Sequence, residues 1–193
     1  MVLCVGAIGQ NTRRFRWDWR NAQELDLKQT VGNSRELSVA ERRQLVHAIA
    51  EDIKTVMDAG ANASALALKT RVKFIDLNGD GRPEVIAQPV GMESGCGATG
   101  NCPFWVFERI SAGYKLILRS DGGFQVFTIE PTATNGFSDI ILGTHDSASE
   151  RTLYVFRYGQ GRYRPWVCYN ANWWTYEGGF HKLKEPRITA CAK

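Results

Sequence analysis

The sequence predicts an α+β protein that is mostly β, with an N-terminal helix packed on antiparallel sheets. Three observations carry this. From about residue 66 almost to the end, apolar residues recur at every second position, broken by Gly-rich turns. Before that, residues 37–57 show the clearest helical spacing. Nineteen glycines and 11% aromatic residues suit short strands joined by tight turns. The chain has 193 residues, 44% hydrophobic and 23% charged, a composition that supports a substantial core. A formal net charge of +4 is too small to imply a nucleic-acid partner. No stretch has the length of a membrane-spanning helix, so no membrane span is expected.

The first ten residues, MVLCVGAIGQ, are apolar but too short for a signal peptide and lack a basic start. Residues 1–12 are expected to be a leader remnant or disordered, and 13–193 a single domain, in solution a monomer. Val2 and Leu3 precede Cys4 where a lipoprotein signal needs a small residue. In RRFRWDWR, Phe15, Trp17 and Trp19 alternate with Arg14, Arg16, Asp18 and Arg20. That period of two predicts an edge strand whose aromatics cover the core, in preference to a stacking surface for a base or sugar.

The helix at 37–57 opens with a capping box, Ser38 and Glu41. Leu45, Val46, Ile49, Ile53, Val56 and Met57 form its apolar face, and Gly60 supplies a stop. His47 falls on the polar face, as a solvated side chain rather than a ligand. Strands are expected at 66–76, 83–90, 103–110, 113–119, 124–130, 137–143, 151–158 and 162–169. They contain an internal repeat. GRPEVIAQ (81–88) matches GFSDIILG (136–143), setting Glu84 against Asp139, and FWVFERISAGYK (104–115) matches LYVFRYGQGRYR (153–164). Residues 66–119 and 124–169 thus read as two copies of a four-stranded, blade-like unit. Two such units cannot close a propeller, which takes four or more blades.

Between the first two strands lies FIDLNGDGRPEVI (74–86). Asp76, Asn78 and Asp80 occupy positions 1, 3 and 5 of a loop, with Gly81 at the sharp turn of position 6, Arg82 at 7 and Glu84 at 9. Hard oxygen donors, several of them anionic, on a curled loop are what calcium requires. A plain hairpin turn needs only one Asn-Gly or Asp-Gly pair and no further acids. The absence of a Glu at position 12, which is Ala87, excludes an EF-hand. Over residues 71–87 the loop resembles the FG-GAP/VCBS type of calcium-binding repeat. That resemblance implies Asp76, Asn78, Asp80 and Glu84 as side-chain ligands and Arg82 as a carbonyl ligand, with Ca2+ as the cofactor they hold. The longer sequence with CGATGNCPFWVF is also similar to exported bacterial proteins, a similarity that supplies no activity. In the second unit the matching stretch is PTATNG (131–136), where Pro131, Ala133 and Asn135 replace the ligands. One calcium ion is therefore expected.

Five cysteines are present. Cys96 and Cys102 bracket a loop of small residues, and Cys168 and Cys191 lie in the last strand-like region and the tail. Two local disulfides would use these four and leave Cys4 over, which implies an oxidising compartment, periplasmic or secreted. Buried free thiols are the other reading. No Cys/His spacing resembles a zinc site.

No catalytic signature is legible. His145, Asp146 and Ser147 are neighbours in sequence, and neighbouring side chains do not converge into a triad. The C-terminal segment 170–193 concentrates Trp173, Trp174, Tyr176 and Phe180. Trp173, Trp174 and Tyr176 are a possible surface for a sugar ring or a partner protein, or else close the end of the sheet core. The sequence therefore reads as a non-catalytic, exported calcium-binding module for a protein or cell-envelope glycan. The rival reading is a cell-envelope hydrolase with catalytic carboxylates not yet located.

Overall fold

The computed structural model describes residues 15, 17–20, 23–24, 27–57, 62–91 and 95–192. The leader at 1–12, Cys4 and the helix stop at Gly60 lie outside them. Two short strands, β1 (Gln23–Glu24) and β2 (Gln29–Thr30), precede the helices α1 (Val39–Met57) and α2 (Ala63–Lys69). Nine strands follow: β3 (Arg71–Ile75), β4 (Glu84–Gln88), β5 (Cys102–Ile110), β6 (Gly113–Phe124), β7 (Val126–Thr134), β8 (Phe137–Gly143), β9 (Glu150–Gly159), β10 (Arg162–Tyr176) and β11 (Phe180–Ala190). They form two antiparallel sheets, β2-β3-β4-β5-β6 and β1-β7-β8-β9-β10-β11.

Alternation within strands builds four layers. In β4 and β5, Val85, Ala87, Trp105 and Phe107 face α1 and α2, while Ile86, Phe104 and Val106 face the second sheet. In β8 and β9, Ile140, Leu142 and Phe156 complete that inter-sheet core, and Ile141 and Val155 point outward. Both sheets are thus buried on both faces over their central strands, which explains runs such as Val85-Ile86-Ala87 with no polar residue. Phe15, Trp17 and Trp19 cover the outer face of the second sheet. Phe15 stacks on Tyr169 at 3.9 Å, and Trp17 and Trp19 meet the edge of Trp173. These aromatics cover a core as the alternation predicts, but residues 17–20 form a turn-containing segment and not a strand.

Helix α1 begins on the predicted box: Glu41 N donates to Ser38 Oγ at 3.3 Å, and Ser38 N donates to Glu41 Oε2 at 2.9 Å. Leu45, Ile49 and Ile53 are wholly buried against the first sheet, and His47 is exposed. Trp105 Nε1 donates to Asp52 Oδ2 at 2.5 Å, tying the helix to β5. Ser38→Ala is expected to cost about 1 kcal/mol in a denaturant melt, the usual worth of such a cap.

The short strands β1 and β2 are not in the sequence expectation, β10 runs on to Tyr176 past the expected end at 169, and two further elements differ for local reasons. Residues 63–69 are helical, although a strand is predicted from 66. ASALALK is rich in good helix formers, and Ala63 and Ala67 bury one face at i, i+4. The apparent alternation through Leu68, Thr70 and Val72 straddles a helix end, where Thr70 Oγ1 bonds back to Leu66 O at 3.1 Å. β11 is unpredicted, because an exposed edge strand carrying Lys182, Lys184, Glu185 and Pro186 shows no apolar alternation. Cys96–Cys102 and Cys168–Cys191 are both disulfides, which removes the free-thiol reading for these four residues. Among the described residues no helix is long and apolar enough to cross a membrane.

Candidate metal centre

β3 and β4 pair from Arg71↔Gln88 to Ile75↔Glu84, leaving residues 76–83 as the connection. Gly79 and Gly81 turn the chain with φ of 73° and 79°, a conformation a Cβ resists. The polar side chains fold back onto this loop. Asp76 accepts the N–H of Gly79 on Oδ1 at 2.7 Å and that of Gly81 on Oδ2 at 2.9 Å. Asn78 Oδ1 accepts Asp80 N at 2.9 Å, and Asp80 Oδ1 accepts Arg82 N at 2.7 Å. Leu77 anchors the loop in the inter-sheet core, and its carbonyl accepts Ser138 N at 2.7 Å.

Glu84 sits at the base, 1% exposed, with Oε2 accepting Leu77 N at 2.7 Å. Burial pushes its carboxyl up to about 7, with Asp80 and Asp76 adding to the rise against the N–H groups of Leu77 and Glu84 itself. Asp76 goes the other way: the N–H of Gly81 above all, then those of Gly79, Asn78 and Asp80, hold it below the usual carboxylate range against desolvation. The five predicted residues are therefore on one curled segment, all offering hard oxygens, Arg82 through its main chain. Among the described residues, no three Asp, Glu, His or Cys side chains form a ready-made metal cage. The Asp76 and Asp80 oxygens that take N–H bonds keep further lone pairs, so those bonds orient the donors without exhausting them.

The acid set against Glu84 by the internal repeat is handled differently. Asp139 is 2% exposed, and its two oxygens accept the hydroxyls of Thr132 and Thr134 at 2.9 and 2.7 Å. Arg157 Nε lies 3.4 Å from Oδ2. That Nε makes no hydrogen bond, so its hold on Asp139 is electrostatic. The guanidinium stacks on Trp166 at 3.2 Å from the ring centre. The β7–β8 connection is a two-residue turn with φ of 51° at Asn135 and 84° at Gly136, the geometry Asn-Gly favours. One acid has a side-chain cation and the other has none among the described residues.

No family model, characterised protein or solved structure matches the chain.

Sequence reasoning missed Thr132, Thr134 and Arg157. The Thr-x-Thr spacing on β7 puts both hydroxyls on one face and was the available signal; Arg157, on another strand, had none. The aromatic surface is also redrawn. Trp173 packs inward against Trp17 and Trp19, so it does not share a surface with its neighbours. Trp174, Tyr176 and Phe180 are 39%, 72% and 77% exposed, and the last two rings meet at 5.4 Å. Near His145, Asp146 spends both oxygens on the hydroxyls of Thr144 and Thr152, and His145 N donates to Asn101 Oδ1. That is a braced turn.

Proposed function

We propose that the 76–84 loop binds one calcium ion and that the chain is an exported, non-catalytic binding module. The observation that carries the reading is Glu84: a buried carboxylate at the foot of a loop whose Asp76 and Asp80 oppose its ionisation. A divalent cation held by Asp76, Asn78, Asp80, Glu84 and the Arg82 carbonyl turns that repulsion into attraction. The likeness of 71–87 to an FG-GAP/VCBS loop supports the same ligands. The chain is proposed to contain two related four-stranded units, β3–β6 and β7–β10, of which only the first keeps the donors. Two disulfides are compatible with export to the periplasm or beyond. The partner is a protein or an envelope glycan.

The test is a thermal melt after chelation and with calcium or magnesium added back. Calcium at about twenty times its Kd adds about 2 kcal/mol, or roughly 4–8 °C for a chain of this length. Magnesium, which demands a tighter octahedron, gives less. Asp76→Asn with Asp80→Asn abolishes the response. A melting temperature indifferent to calcium overturns the proposal.

A further inference from the structure

Strand β10 outruns the inter-sheet core. Tyr169, Ala171 and Trp173 point to the outer face of the second sheet. Asn170, Asn172, Trp174 and Tyr176 point to the other face, the one that carries Tyr154 and Phe156 into the core further along the sheet. Cross-strand partners extend that face: Thr152 and Glu150 oppose Asn170 and Asn172, and Phe180 opposes Tyr176. Two clefts lie along it. One, of about 380 Å³, is lined by Asp146, Glu150, Arg151, Thr152, Asn170 and Asn172 among others; the next, of about 570 Å³, by Glu150, Asn172, Trp174, Tyr176 and Phe180. They share Glu150 and Asn172 and so run on from one another.

We infer that the two clefts form one binding strip for a neutral oligosaccharide of gluco-configured pyranose rings. Such rings are apolar on their faces, where the axial C–H bonds point, and polar round their rims. The strip has the matching halves. Trp174, Tyr176 and Phe180 present exposed ring surface at one end. Thr152, Asn170, Asn172 and Glu150 line the other. Thr152 Oγ1 donates to Asp146 Oδ2, Asn172 Nδ2 donates to Glu150 Oε1 and Asn172 Oδ1 accepts Trp174 N, all at 2.7–2.8 Å, which fixes the rim and leaves second amide protons and further oxygen lone pairs for vicinal hydroxyls. Charge selects against anionic ligands: the lining carries Asp146 and Glu150 against Arg151 alone. Concave volumes of this size suit a small extended ligand, whereas a protein partner needs a broad patch of about 800 Å². The inference rests on the reading of the chain as a binding module and names its ligand class; it does not depend on the calcium loop.

Calorimetric titration with cellotetraose and with tetra-N-acetylchitotetraose tests it, in the presence of chelator, on the wild type, Trp174→Ala, Tyr176→Ala and Lys54→Gln on the exposed side of α1, each checked for native circular dichroism. At least one probe binds the wild type. Either aromatic truncation weakens it about tenfold or more, as loss of a central anchor does, and Lys54→Gln leaves it intact. The strip is overturned if neither probe binds at millimolar concentration, or if binding survives both truncations, or if Lys54→Gln abolishes it. Retention of a lysate protein through Trp174 with neither sugar bound also overturns it. A calcium-dependent melt without sugar binding removes the strip and leaves the metal reading standing.

Discussion

Freed of divalent ions, the protein is expected to lose stability as the pH rises from about 5 to about 7, and Glu84→Gln to remove that loss. The Glu84 carboxyl ionises at its ordinary value of 4.5 in the unfolded chain and at about 7 in the folded one. Between those values the folded state holds a proton that the unfolded state has released, so stability falls with rising pH. Below 4.5 both states are protonated and above 7 both are ionised, and the slope vanishes on either side. The steepest loss is about 1.4 kcal/mol per pH unit, and the total is of order 3 kcal/mol. Asp76 does not mask it, because a depressed carboxyl costs stability only as pH falls below the ordinary carboxylate range. Urea denaturation at pH 5, 6, 7 and 8 in the presence of chelator reads the slope. A flat wild-type profile contradicts the placement of Glu84. Calcium, by the proposal above, is most stabilising at the alkaline end, where the carboxylate is already charged.

What the sequence made legible was local. The capping box Ser38/Glu41, the helical face through Leu45, Ile49 and Ile53 and the turn glycines Gly79 and Gly81 each depend on residues within a turn or two of one another. The donors Asp76, Asn78 and Asp80 were equally local, and their oxygens do turn in on the loop backbone. Non-local partners were not legible. Nothing in PTATNG says that Arg157, from another strand, stands beside Asp139, or that Trp17 arrives against Trp173. Strands buried on both faces, such as Val85-Ile86-Ala87, also conceal which side meets a helix and which a second sheet. Alternation fails as a guide at β11 for the opposite reason, since neither of its faces is substantially covered.

Arg157→Gln should then be among the most damaging single changes outside the hydrophobic core, and calcium should not repair it. The substitution leaves Asp139 buried with two threonine hydroxyls and without the guanidinium that faces it among the described residues. The neighbouring Glu130 carboxyl is pushed up by burial first and then by the charges of Asp139 and Asp18. Stranding one member of a buried pair costs roughly 3–5 kcal/mol. The lower end applies here, because the Arg157 side chain is 38% exposed and water reaches the site. Part of the loss is the Arg157–Trp166 stack, worth about 0.5–1 kcal/mol. Pairing the change with Asp139→Asn recovers most of the stability, since the amide is uncharged and its carbonyl still accepts one threonine hydroxyl. A double-mutant cycle by chemical denaturation isolates the coupling. A coupling within about 0.5 kcal/mol of zero, the scatter expected of independent sites, would mean that the guanidinium is a bystander. A large one, insensitive to calcium, means that Arg157 supplies from within the chain the positive charge that Glu84, with no such partner among the described residues, is proposed to take from solution.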